Sequence, residues 1–584
     1  MGRLSLKPIH RSPKPKRIGS FDVEGDAERF VVGIAKAPSG EWGVFTDPRS
    51  LVAFMKSFPN AIWFAHNAIY DVGVLLPHLT DFEIHTYHGR LLKAVYPPRK
   101  PRIMLADSFW FFPMPLSKIG QALGLEKLER PWESEGEIVD WNRTLERVSL
   151  GEVIEYCKRD VEIVWRAMRL FQEEVNRLGG ELKLTLASTT LDVFRRAFLD
   201  REYETPSKVV NKYCREAYYG GRVENLIEGE ITDVFFYDVN SMYPFVMKTL
   251  EFPDPNTLRG PLRPGREENI WKYEGVTACE IEVPFSMLPP LPYRMNDKVI
   301  YPYGRLKGAW THLEIREALK EGARIVQLEW QIIAEGTCNP FRGFVETLYA
   351  LRKEYKERGD PRELVVKIMM NSLYGKFGES AEKKDYKVLV DLEHYPDAGN
   401  LPEGSELLRD EPPLFCLMPR KAERPSPHWI VIWAAYITAG ARVHLRRLAL
   451  QAGEVFYMDT DSLVTRTVLP NGSGLGELKL EKAADRMIIR GPKLYTAYKD
   501  EQLVKAASRG VPVRLAEVFI QFGKVMFARP LKLLEAFRRK LLPSQWILQS
   551  KESQSSFAKR KPGRRIGSYV QLLPWRVAPD GRVQ

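Results

Sequence analysis

The sequence predicts a multidomain chain that combines an α/β part with an α+β part. Its 584 residues correspond to about three or four domains at roughly 150 residues each. Up to about residue 185, short apolar strands alternate with helical segments, which is the pattern of an α/β domain. Further along, proline-rich stretches interrupt a scaffold of strands and long helices, which indicates an α+β body with loop-rich insertions.

Composition and charge narrow the class of protein. With 44% hydrophobic and 28% charged residues, the chain has enough apolar content for folded cores. The net charge of +12 favours a polyanionic partner, although many basic proteins bind none. Five scattered cysteines predict neither a disulfide framework nor a zinc module, which suits a reducing compartment. The apolar stretch 429–441 is too short to span a membrane, and residues 1–17 contain no apolar signal core.

Acidic residues in the first 185 residues follow predicted strands or share a helix face. Asp22 and Glu24 end the strand 18–25, and Asp71 follows the strand 61–67. The segment 148–180 predicts a long amphipathic helix closed by two glycines. Each acidic position has a plain alternative, either a capped strand end or a pair on a helix surface. The candidate residues are Asp22, Glu24, Asn67, Asp71, Tyr156 and Asp160.

Three further carboxylates lie on apolar strands in the second half of the chain. Asp238 ends one strand, and Asp459 and Asp461 are two apart in another, VFYMDTDSLV. The period of two in a strand predicts that both point to one face, with Thr460 on the other. Such carboxylates repel each other when buried, and two divalent cations would relieve that repulsion and form a phosphoryl-transfer site. The alternative is a strand end with solvated acids.

Basic residues on two adjacent predicted helices could cradle a triphosphate. Arg352 and Lys356 are one turn apart on the first helix. Lys367, Asn371 and Tyr374 form one stripe on the next helix, which follows a Gly-Asp-Pro turn. A solvated basic face is a sound alternative for the first pair. It explains poorly the polar residues inside the otherwise apolar second helix.

Three ordered motifs in the second half resemble those of family B DNA polymerases. DVNSMYP, KIMMNSLYG and YMDTDS match DxxSxYP, KxxxNSxYG and YxDTDS. In the first half, DVE, NAIYD and YCKRD resemble the three motifs of DEDD-type 3′–5′ exonucleases. The compact length and the YYGG element at 218–221 are most similar to the protein-primed branch of phages and linear plasmids. The resemblance implies an RNase H-like exonuclease domain followed by a right-hand polymerase of palm, fingers and thumb with two insertions.

The resemblance also implies roles for the polymerase residues. Asp238 and Asp461 would bind two Mg²⁺ or Mn²⁺ ions, and Asp459 would orient the primer beside them. Tyr243 would stack under the incoming sugar and exclude a 2′-hydroxyl. Nucleotide contacts are expected at Arg352, Lys356, Lys367, Asn371, Tyr374, Tyr243, Ser241 and Val239. DNA contacts are expected at Lys493 and Tyr495, which resemble a KxY element, and at Tyr218, Gly220 and Gly221.

For the exonuclease motifs, the resemblance implies a second pair of ions held by four carboxylates, with Tyr156 orienting the attacking water. These carboxylates are Asp22, Glu24, Asp71 and Asp160. Asn67, Ser108 and Phe109 would contact single-stranded DNA, although Phe109 stands where relatives have Leu. Lys127 is the nearest candidate for a catalytic lysine, but Arg130 stands where an apolar residue is expected, so that role stays unassigned.

The predicted domains follow from these motifs and from the proline-rich stretches. Their bounds are 1–185 for the exonuclease, 186–258 and 427–515 for the palm, 259–335 for the first insertion, 336–380 for the fingers, 381–426 for the second insertion, and 516–584 for the thumb and basic C-terminus. The first insertion would dock a terminal protein, and the second would support processivity and strand displacement. The basic cluster 559–565 is interpreted either as a DNA-tracking tail or as a solvated end.

The leading hypothesis is therefore a proofreading DNA polymerase that acts as a monomer in the host cytoplasm. Its partners would be primer-template and single-stranded DNA, deoxynucleoside triphosphates and a terminal protein, and no membrane. One alternative is a primer-independent primase-polymerase of a mobile element. A DNA-binding protein with a decayed polymerase half is disfavoured because Asp238, Lys367, Asp459 and Asp461 are all present. A nuclease function alone would assign no role to about the last 400 residues.

Overall fold

The computed structural model describes most of the chain. The described residues are 4–26, 29–79, 81–87, 90–97, 102–132, 139–296, 298–379, 386–390, 405–409, 415–419, 426–542, 545–553 and 559–584. Most of the predicted second insertion, 381–426, lies outside these residues. None of the described helices is long and apolar enough to cross a membrane.

The N-terminal region forms the predicted α/β unit. Its strands are β1 (Ser5–Leu6), β2 (Arg17–Gly25), β3 (Phe30–Lys36), β4 (Trp42–Phe45), β5 (Ala61–Ala65), β6 (Phe82–Tyr87), β7 (Arg90–Tyr96) and β8 (Ile103–Asp107). Its helices are α1 (Pro48–Lys56), α2 (Ile69–Leu75), α3 (Leu116–Ala122), α4 (Trp141–Arg147) and α5 (Leu150–Arg177). The strands β2, β5 and β8 are parallel neighbours, and α5 packs across β2 and β3.

The long helix α5 begins and ends where the sequence predicts. The Ser149 side chain accepts a hydrogen bond from the backbone N–H of Glu152, whose carboxylate accepts one from the N–H of Ser149, which is a capping box. The helix ends before Gly179, whose φ of 77° suits glycine. Because α5 lies on β2, Tyr156 and Asp160 face the strand that carries Asp22 and Glu24.

The chain then enters the predicted palm. Its first elements are α6 (Leu186–Val193), a π-helical turn (Phe194–Phe198), β9 (Tyr203–Glu204), α7 (Lys208–Glu216), β10 (Val223–Asn225), β11 (Ile227–Val239), α8 (Met242–Thr249) and β12 (Phe252–Pro253). The strand β11 ends at the motif residue Asp238 and its neighbour Val239. The helix α8 follows directly after Ser241.

The first insertion folds as a small sheet with two helices. Its elements are β13 (Leu258–Leu262), α9 (Glu267–Lys272), β14 (Glu274–Val283), β15 (Tyr293–Met295), β16 (Lys298–Ile300), β17 (Tyr303–Thr311), α10 (His312–Lys320), β18 (Arg324–Ala334) and β19 (Thr337–Cys338). The main strands run in the order β13-β18-β14-β17. These elements occupy the predicted interval 259–335 almost completely.

The predicted pair of helices follows. They are α11 (Arg342–Glu357) and α12 (Arg362–Ser372), and three strands come after them, β20 (Tyr386–Val390), β21 (Glu406–Arg409) and β22 (Phe415–Pro419). These strands come from the predicted second insertion, and β20 pairs with β6 of the N-terminal sheet. Among the described residues, this sheet has the order β21-β22-β20-β6-β7-β8-β5-β2-β3-β4.

The second part of the palm completes a sheet around β11. It comprises α13 (Val431–Ala452), β23 (Val455–Asp459), β24 (Ser462–Thr465), β25 (Leu478–Gly491), β26 (Leu494–Lys499) and β27 (Gln502–Ser508). The strand order is β10-β23-β24-β11-β25-β26-β27. The helix α13 is almost entirely buried along its first three turns, which explains its apolar sequence.

The last region does not form one separate unit. It contains α14 (Ala516–Phe522), β28 (Lys524–Pro530), α15 (Leu533–Arg538), β29 (Trp546–Glu552), β30 (Lys561–Ile566), β31 (Tyr569–Leu573) and β32 (Arg576–Val577). The strand β31 pairs with β11 of the palm, and β32 pairs with β17 of the first insertion. The domain bounds stay predictions, but these contacts place the end of the predicted thumb on two other units.

Two candidate active sites rich in carboxylates

The three palm carboxylates meet at the end of neighbouring strands. Asp238 on β11 and Asp459 on β23 both lie opposite Ser462 of β24 in the ladder. Residues directly opposite each other in antiparallel strands share a face of the sheet. The side chains of Asp238 and Asp459 therefore flank Ser462 on one face, with their Cα atoms about 10 Å apart at the usual strand spacing.

The predicted continuous strand through Asp459 and Asp461 is wrong. The strand β23 ends at Asp459, and the chain turns back into β24 at Ser462. Thr460 has a φ of 61°, in the left-handed region, so the alternation of a strand does not apply there. The two carboxylates approach each other because they lie on a tight turn (residues 459–462), which we call the catalytic turn after the role that the sequence predicts for it.

Backbone hydrogen bonds hold the catalytic turn in place. The N–H of Asp461 donates to the carbonyl of Asp459 at 2.6 Å, and the N–H of Val239 donates to the carbonyl of Asp461 at 2.7 Å. The N–H of Thr460 donates to the carbonyl of Arg222 at 2.7 Å. The turn is thus tied on one side to the residue after Asp238 and on the other to the segment that precedes β10. Val239 is itself buried, and its N–H is used in this bond.

The electrostatics of the palm site favour positive charge. Burial, followed by the charge of Asp461, raises the pKa of Asp238 to about 7. Burial, followed by the charge of Asp459, raises the pKa of Asp461. The Nζ of Lys493 lies 2.8 and 2.7 Å from the two oxygens of Asp459. Oxygen ligands that are crowded enough to raise each other's pKa fit a hard divalent cation.

The nucleotide residues predicted from the helices divide into two groups. The guanidinium of Arg352 donates to Ser241 Oγ at 2.9 Å and to Glu363 at 2.8 Å, which joins α11 and α12 to the turn before α8. The rings of Tyr243 and Tyr374 stack with centroids 4.3 Å apart. These contacts bring the first and second polymerase motifs together beside the carboxylates.

Of the other predicted nucleotide residues, Lys367 and Lys356 are exposed and Asn371 is half-buried. Lys367 is exposed on α12, and its charge is among those acting on Asp238. The Asn371 amide donates to the carbonyl of Lys367 at 2.9 Å. Lys356 is exposed, and its ammonium makes no hydrogen bond or ion pair with any residue that the structure describes. Lys367 and Lys356 are therefore available to form ion pairs with a bound polyanion.

The two elements predicted to contact DNA lie against the catalytic turn. Tyr495 is buried, and its ring lies 5.2 Å from that of Tyr457, whose hydroxyl accepts a hydrogen bond from the N–H of Lys493 at 2.8 Å. In the YYGG element, a Cβ added to Gly220 would meet no atom within 4 Å. A Cβ on Gly221 would lie 2.8 Å from Thr460 Cγ2, so this glycine is needed for close packing on the catalytic turn. Tyr218 is half-buried, with its ring against Gly378.

The C-terminal basic cluster is an unexpected part of the palm site. The Nζ of Lys559 donates to the carbonyl of Val223 at 2.8 Å, and Val223 pairs with Asp459 across β10 and β23. Arg560 is buried and forms an ion pair with Glu224 at 3.0 Å. The cluster is neither a free tail nor a solvated end at these two positions. Its basic residues were visible in the sequence, but their placement depends on the pairing of β31 with β11.

In the N-terminal unit, the predicted acidic residues come together on β2 and the helices beside it. Ligand atoms of Asp22, Glu24 and Cys157 lie within 4.8 Å of one another. Asp71 on α2 accepts a hydrogen bond from the N–H of Val23 at 2.9 Å. The hydroxyl of Tyr70 lies 3.2 Å from a carboxylate oxygen of Glu24.

Burial raises the pKa of every carboxyl group in this cluster, and repulsion between the carboxylates raises the pKa values of Asp22, Glu24 and Asp71 further. The pKa of Asp22 rises to about 7 through burial and then the charge of Asp160, and that of Glu24 rises to about 8 through burial and then the charge of Asp22. Burial is also the main cause of the raised pKa values of Asp71 and Asp160. Asp22 Oδ2 and Asp160 Oδ1 are buried without a hydrogen-bond partner. Orphaned carboxylate oxygens in a carboxylate cluster fit divalent cations as ligands.

Lys127 and Arg130, which the sequence left without a role, both belong to this cluster. The Nζ of Lys127 donates to the Tyr156 hydroxyl at 2.7 Å and to the Asp160 carboxylate, and it lies 4.0 Å from the Tyr156 ring centroid. The positive charge of Arg130 lowers the pKa values of Asp22, Glu24 and Asp160. An arginine at the expected apolar position therefore adds a second cation to the cluster.

The predicted single-strand contacts lie at the end of β8. Asn67 has a φ of 62°, and its N–H donates to the Asp107 carboxylate at 2.9 Å. Ser108 is buried, and its hydroxyl bonds to His66 Nδ1 at 3.0 Å, so a contact of this hydroxyl with DNA requires that it be freed. Phe109 is half-buried, with the guanidinium of Arg90 over its ring at 4.9 Å. Phe109 and Arg90 thus present a stacking surface near the cluster.

The raised pKa values predict how pH changes the stability of the metal-free protein. Asp22 is protonated up to about pH 7 in the folded state but only up to about its ordinary value of 3.8 when unfolded. The folded state therefore holds more protons between these values, and the free energy of unfolding falls as pH rises through this window. With a chelator present, Asp22→Asn should raise the melting temperature more at pH 8 than at pH 5, by roughly 2–4 °C per kcal/mol of relieved repulsion.

The control for this thermal experiment is Glu155→Gln, which removes an exposed acid from the same helix as Asp160. Its effect should be small and equal at both pH values, because surface ion pairs contribute little. Equal melting shifts for Asp22→Asn at pH 5 and pH 8 would contradict the proposed crowding of carboxylates.

Comparisons with known proteins agree with this architecture. The family model for DNA polymerase type B, organellar and viral, matches residues 126–405. The chain is 24% identical over 527 residues to the DNA-directed DNA polymerase of Enterobacteria phage PRD1, and the match covers 88% of this chain and 87% of that one. It is 25% identical over 377 residues to a probable DNA polymerase of Neurospora intermedia, of which the match covers 37%.

Solved structures of phi29 DNA polymerase have the same fold. An orthorhombic crystal form superposes with a TM-score of 0.69 at 18% sequence identity, covering 92% of this chain and all of that one. The same protein complexed with primer-template DNA and incoming nucleotide substrates gives a TM-score of 0.69 at 17% identity, with the same coverage. An exonuclease-like unit before a right-hand polymerase is thus the fold of this chain. The chain is thus similar to the type B DNA polymerases over residues 126–405, and it is a DNA-directed DNA polymerase.

Proposed function

We propose that this polymerase extends a primer with two divalent ions in the palm and removes mismatched ends at a second two-ion site in the N-terminal unit. The observation that carries the proposal is the pair of separate carboxylate clusters. Asp238 and the catalytic turn form one, and Asp22, Glu24, Asp71 and Asp160 form the other. Their crowded, buried oxygens fit cations in both places.

In the palm, Asp238 and Asp461 would hold Mg²⁺ or Mn²⁺. These ions would supply the Lewis acidity that favours loss of the proton from the primer 3′-hydroxyl and stabilises the leaving pyrophosphate. The 3′-oxygen attacks the α-phosphate in line, a new phosphodiester bond forms, and the bond to the β-phosphate breaks. Asp459 is held by Lys493 and orients the primer end beside these groups.

Side chains around the palm carboxylates would bind the nucleotide. Lys367 and Lys356 are exposed and free to neutralise phosphates, whereas Arg352 already bridges to Ser241 and fixes the turn below them. The stacked rings of Tyr243 and Tyr374 offer a flat floor for the sugar and the nascent base pair. A ring at that place leaves little room for a 2′-hydroxyl, so deoxynucleotides are preferred.

In the N-terminal unit, the four carboxylates would hold the ions that activate water against a terminal phosphodiester. The Tyr156 hydroxyl accepts a hydrogen bond from the Nζ of Lys127. Tyr156 would orient the attacking water, and the charge of Lys127 would balance that of the phosphate. The ring of Phe109 would stack on the single-stranded primer end, and the guanidinium of Arg90 would form an ion pair with it. Cleavage then releases one deoxynucleoside monophosphate and leaves a new 3′-hydroxyl.

Similarity to the polymerases of the phages PRD1 and phi29 favours protein priming of this chain over the primer-independent alternative. The first insertion forms a sheet of its own next to the palm. It is our candidate for the docking site of a terminal protein. A monomeric state and a location in the host cytoplasm stay predictions.

A single gel tests the proposal. A 5′-labelled primer is annealed to a longer template that carries a downstream blocking strand, and the full chain is added with Mg²⁺. We expect extension through the block when deoxynucleotides are present and shortening of the primer when they are absent. Shortening without extension would contradict the role of the palm site, and extension without any shortening would contradict the second site.

A further inference from the structure

Three arginines join the first insertion to the backbone just before β10. Arg442 on α13 is almost fully buried, and its guanidinium donates to the carbonyls of Tyr219 and Gly220 at 2.7 and 2.8 Å. The same guanidinium is paired with Glu314 on α10 of the first insertion at 2.8 Å. We call residues 218–222 the linking loop.

The second arginine comes from the insertion itself. Arg294 on β15 donates to the carbonyls of Glu216 and Tyr218 at 2.5 and 2.7 Å. Its guanidinium also lies 3.9 Å from the ring centroid of Tyr219. One exposed side chain of the insertion thus contacts two carbonyls and one ring, at the start of the linking loop and just before it.

The third arginine belongs to the linking loop. Arg222 donates to the carbonyl of Pro289 in the insertion at 2.9 Å, and its guanidinium lies 3.9 Å from the ring centroid of Tyr301. The carbonyl of Arg222 is the acceptor for the N–H of Thr460. Its side chain therefore contacts the insertion, while its backbone contacts the catalytic turn.

The linking loop packs tightly on the catalytic turn at Gly221. Gly221 lies so close to Thr460 that an added Cβ would meet its Cγ2 at 2.8 Å. Thr460 stands between the two carboxylates of the turn. A shift of the loop by a few tenths of an ångström would therefore be passed to Asp459 and Asp461.

We propose that the first insertion sets the position of the catalytic turn through Arg294, Arg442 and Arg222, which act as positioning residues for nucleotide addition. The proposal rests on the proposed function of the palm carboxylates. A protein that docks on the insertion near Arg294 would thereby alter polymerisation and leave the exonuclease site unaffected. The linking loop is the element that couples the first insertion to the catalytic turn.

The charges argue for positioning rather than for simple adhesion. Arg442 and Glu314 are both nearly inaccessible to solvent, and burying an ion pair costs more desolvation than packing apolar side chains of similar volume. Adhesion alone would be served by the apolar contacts between the insertion and α13. Directed bonds from two guanidinium groups, those of Arg294 and Arg442, to backbone carbonyls between residues 216 and 220 instead fix where the loop lies.

The test measures single-nucleotide addition and single-strand degradation by the full chain. Arg294→Ala is chosen because the side chain is exposed, so the fold should persist. We expect kcat for nucleotide addition to fall about 5- to 10-fold, with KM for the nucleotide changed by less than about twofold and with degradation unchanged. Arg294→Lys should recover part of the loss, because lysine can still donate to one carbonyl. The matched control, Lys307→Ala, removes an exposed ion pair with Glu329 from the same insertion and should change neither activity.

A second variant tests the route through the loop. Gly221→Ala should also lower kcat, since its Cβ would press on Thr460, and the double variant with Arg294→Ala should lose less than the product of the two effects. An unchanged kcat for Arg294→Ala, an equal loss for Lys307→Ala, or fully multiplicative effects would each overturn the inference. If the wild-type chain adds no nucleotide, the proposed function itself fails, so the two failures are distinguishable.

Discussion

Replacing Asp461 with asparagine should abolish primer extension, by at least about 1,000-fold, and leave primer shortening unchanged. Asparagine keeps the size of the side chain and the backbone bonds of the catalytic turn, but it removes the charge that would hold an ion. Because burial, followed by the charge of Asp459, raises the pKa of Asp461, the substitution also relieves the cost of a buried charge and the repulsion from Asp459. The melting temperature should therefore not fall. Both activities are measured on the same labelled primer.

The control for the polymerase prediction is Asp485→Asn on β25. This carboxylate is exposed, and it accepts a hydrogen bond from the N–H of Asp500 at 2.8 Å. Extension by this variant should stay within about twofold of the wild type, because an exposed carboxylate of this kind contributes little. If Asp461→Asn lost both activities while it remained folded, or if it still extended the primer at the wild-type rate, the assignment of separate sites would be wrong.

Much of the fold could be predicted because local signals and tertiary packing agree. The helix α5 has an N-terminal capping box, an apolar face and a closing glycine, and it forms where these signals lie. The pair α11 and α12 is likewise separated at Gly359–Pro361, as the turn residues indicate. The carboxylates of both clusters were also visible, since acids at the ends of apolar strands stand out against the usual composition of a core.

The catalytic turn shows where a sequence pattern misleads. Alternation places Asp459 and Asp461 on one face only if the strand continues, and the positive φ of Thr460 ends it. Nothing in the identity of a threonine predicts a left-handed conformation, which β-branched residues rarely adopt. The conformation is maintained by bonds to Arg222 and Val239, which are more than 200 residues away in sequence.

Other parts of the sites depend on long-range pairing that no local pattern carries. The approach of Lys559 to the palm site follows from the return of β31 to β11. The strand β20, from the predicted second insertion, joins the N-terminal sheet at β6. Lys127 reaches Tyr156 because the segment after α3 runs beside α5. Each placement requires the tertiary structure.

Replacing Asp22 and Asp71 together with asparagine should abolish primer shortening, by at least about 1,000-fold, and leave extension on a matched primer within about twofold. Asp22 has a buried oxygen without a hydrogen-bond partner, which fits its proposed role as a metal ligand. Asp71 does accept one bond from Val23, and an asparagine oxygen can still accept it. The double variant should therefore stay folded.

Fidelity provides a second measurement for the same variant. With one nucleotide withheld, the wild type should idle between addition and removal, whereas the double variant should accumulate mismatched ends. Glu155→Gln on α5 serves again as the control and should shorten primers like the wild type. The first cluster is built on β2, α2 and α5, and the second on β11, β23 and the catalytic turn. Loss of extension in the folded double variant would therefore mean that the two clusters do not work independently. Retention of extension with loss of removal is what two separately built metal sites require.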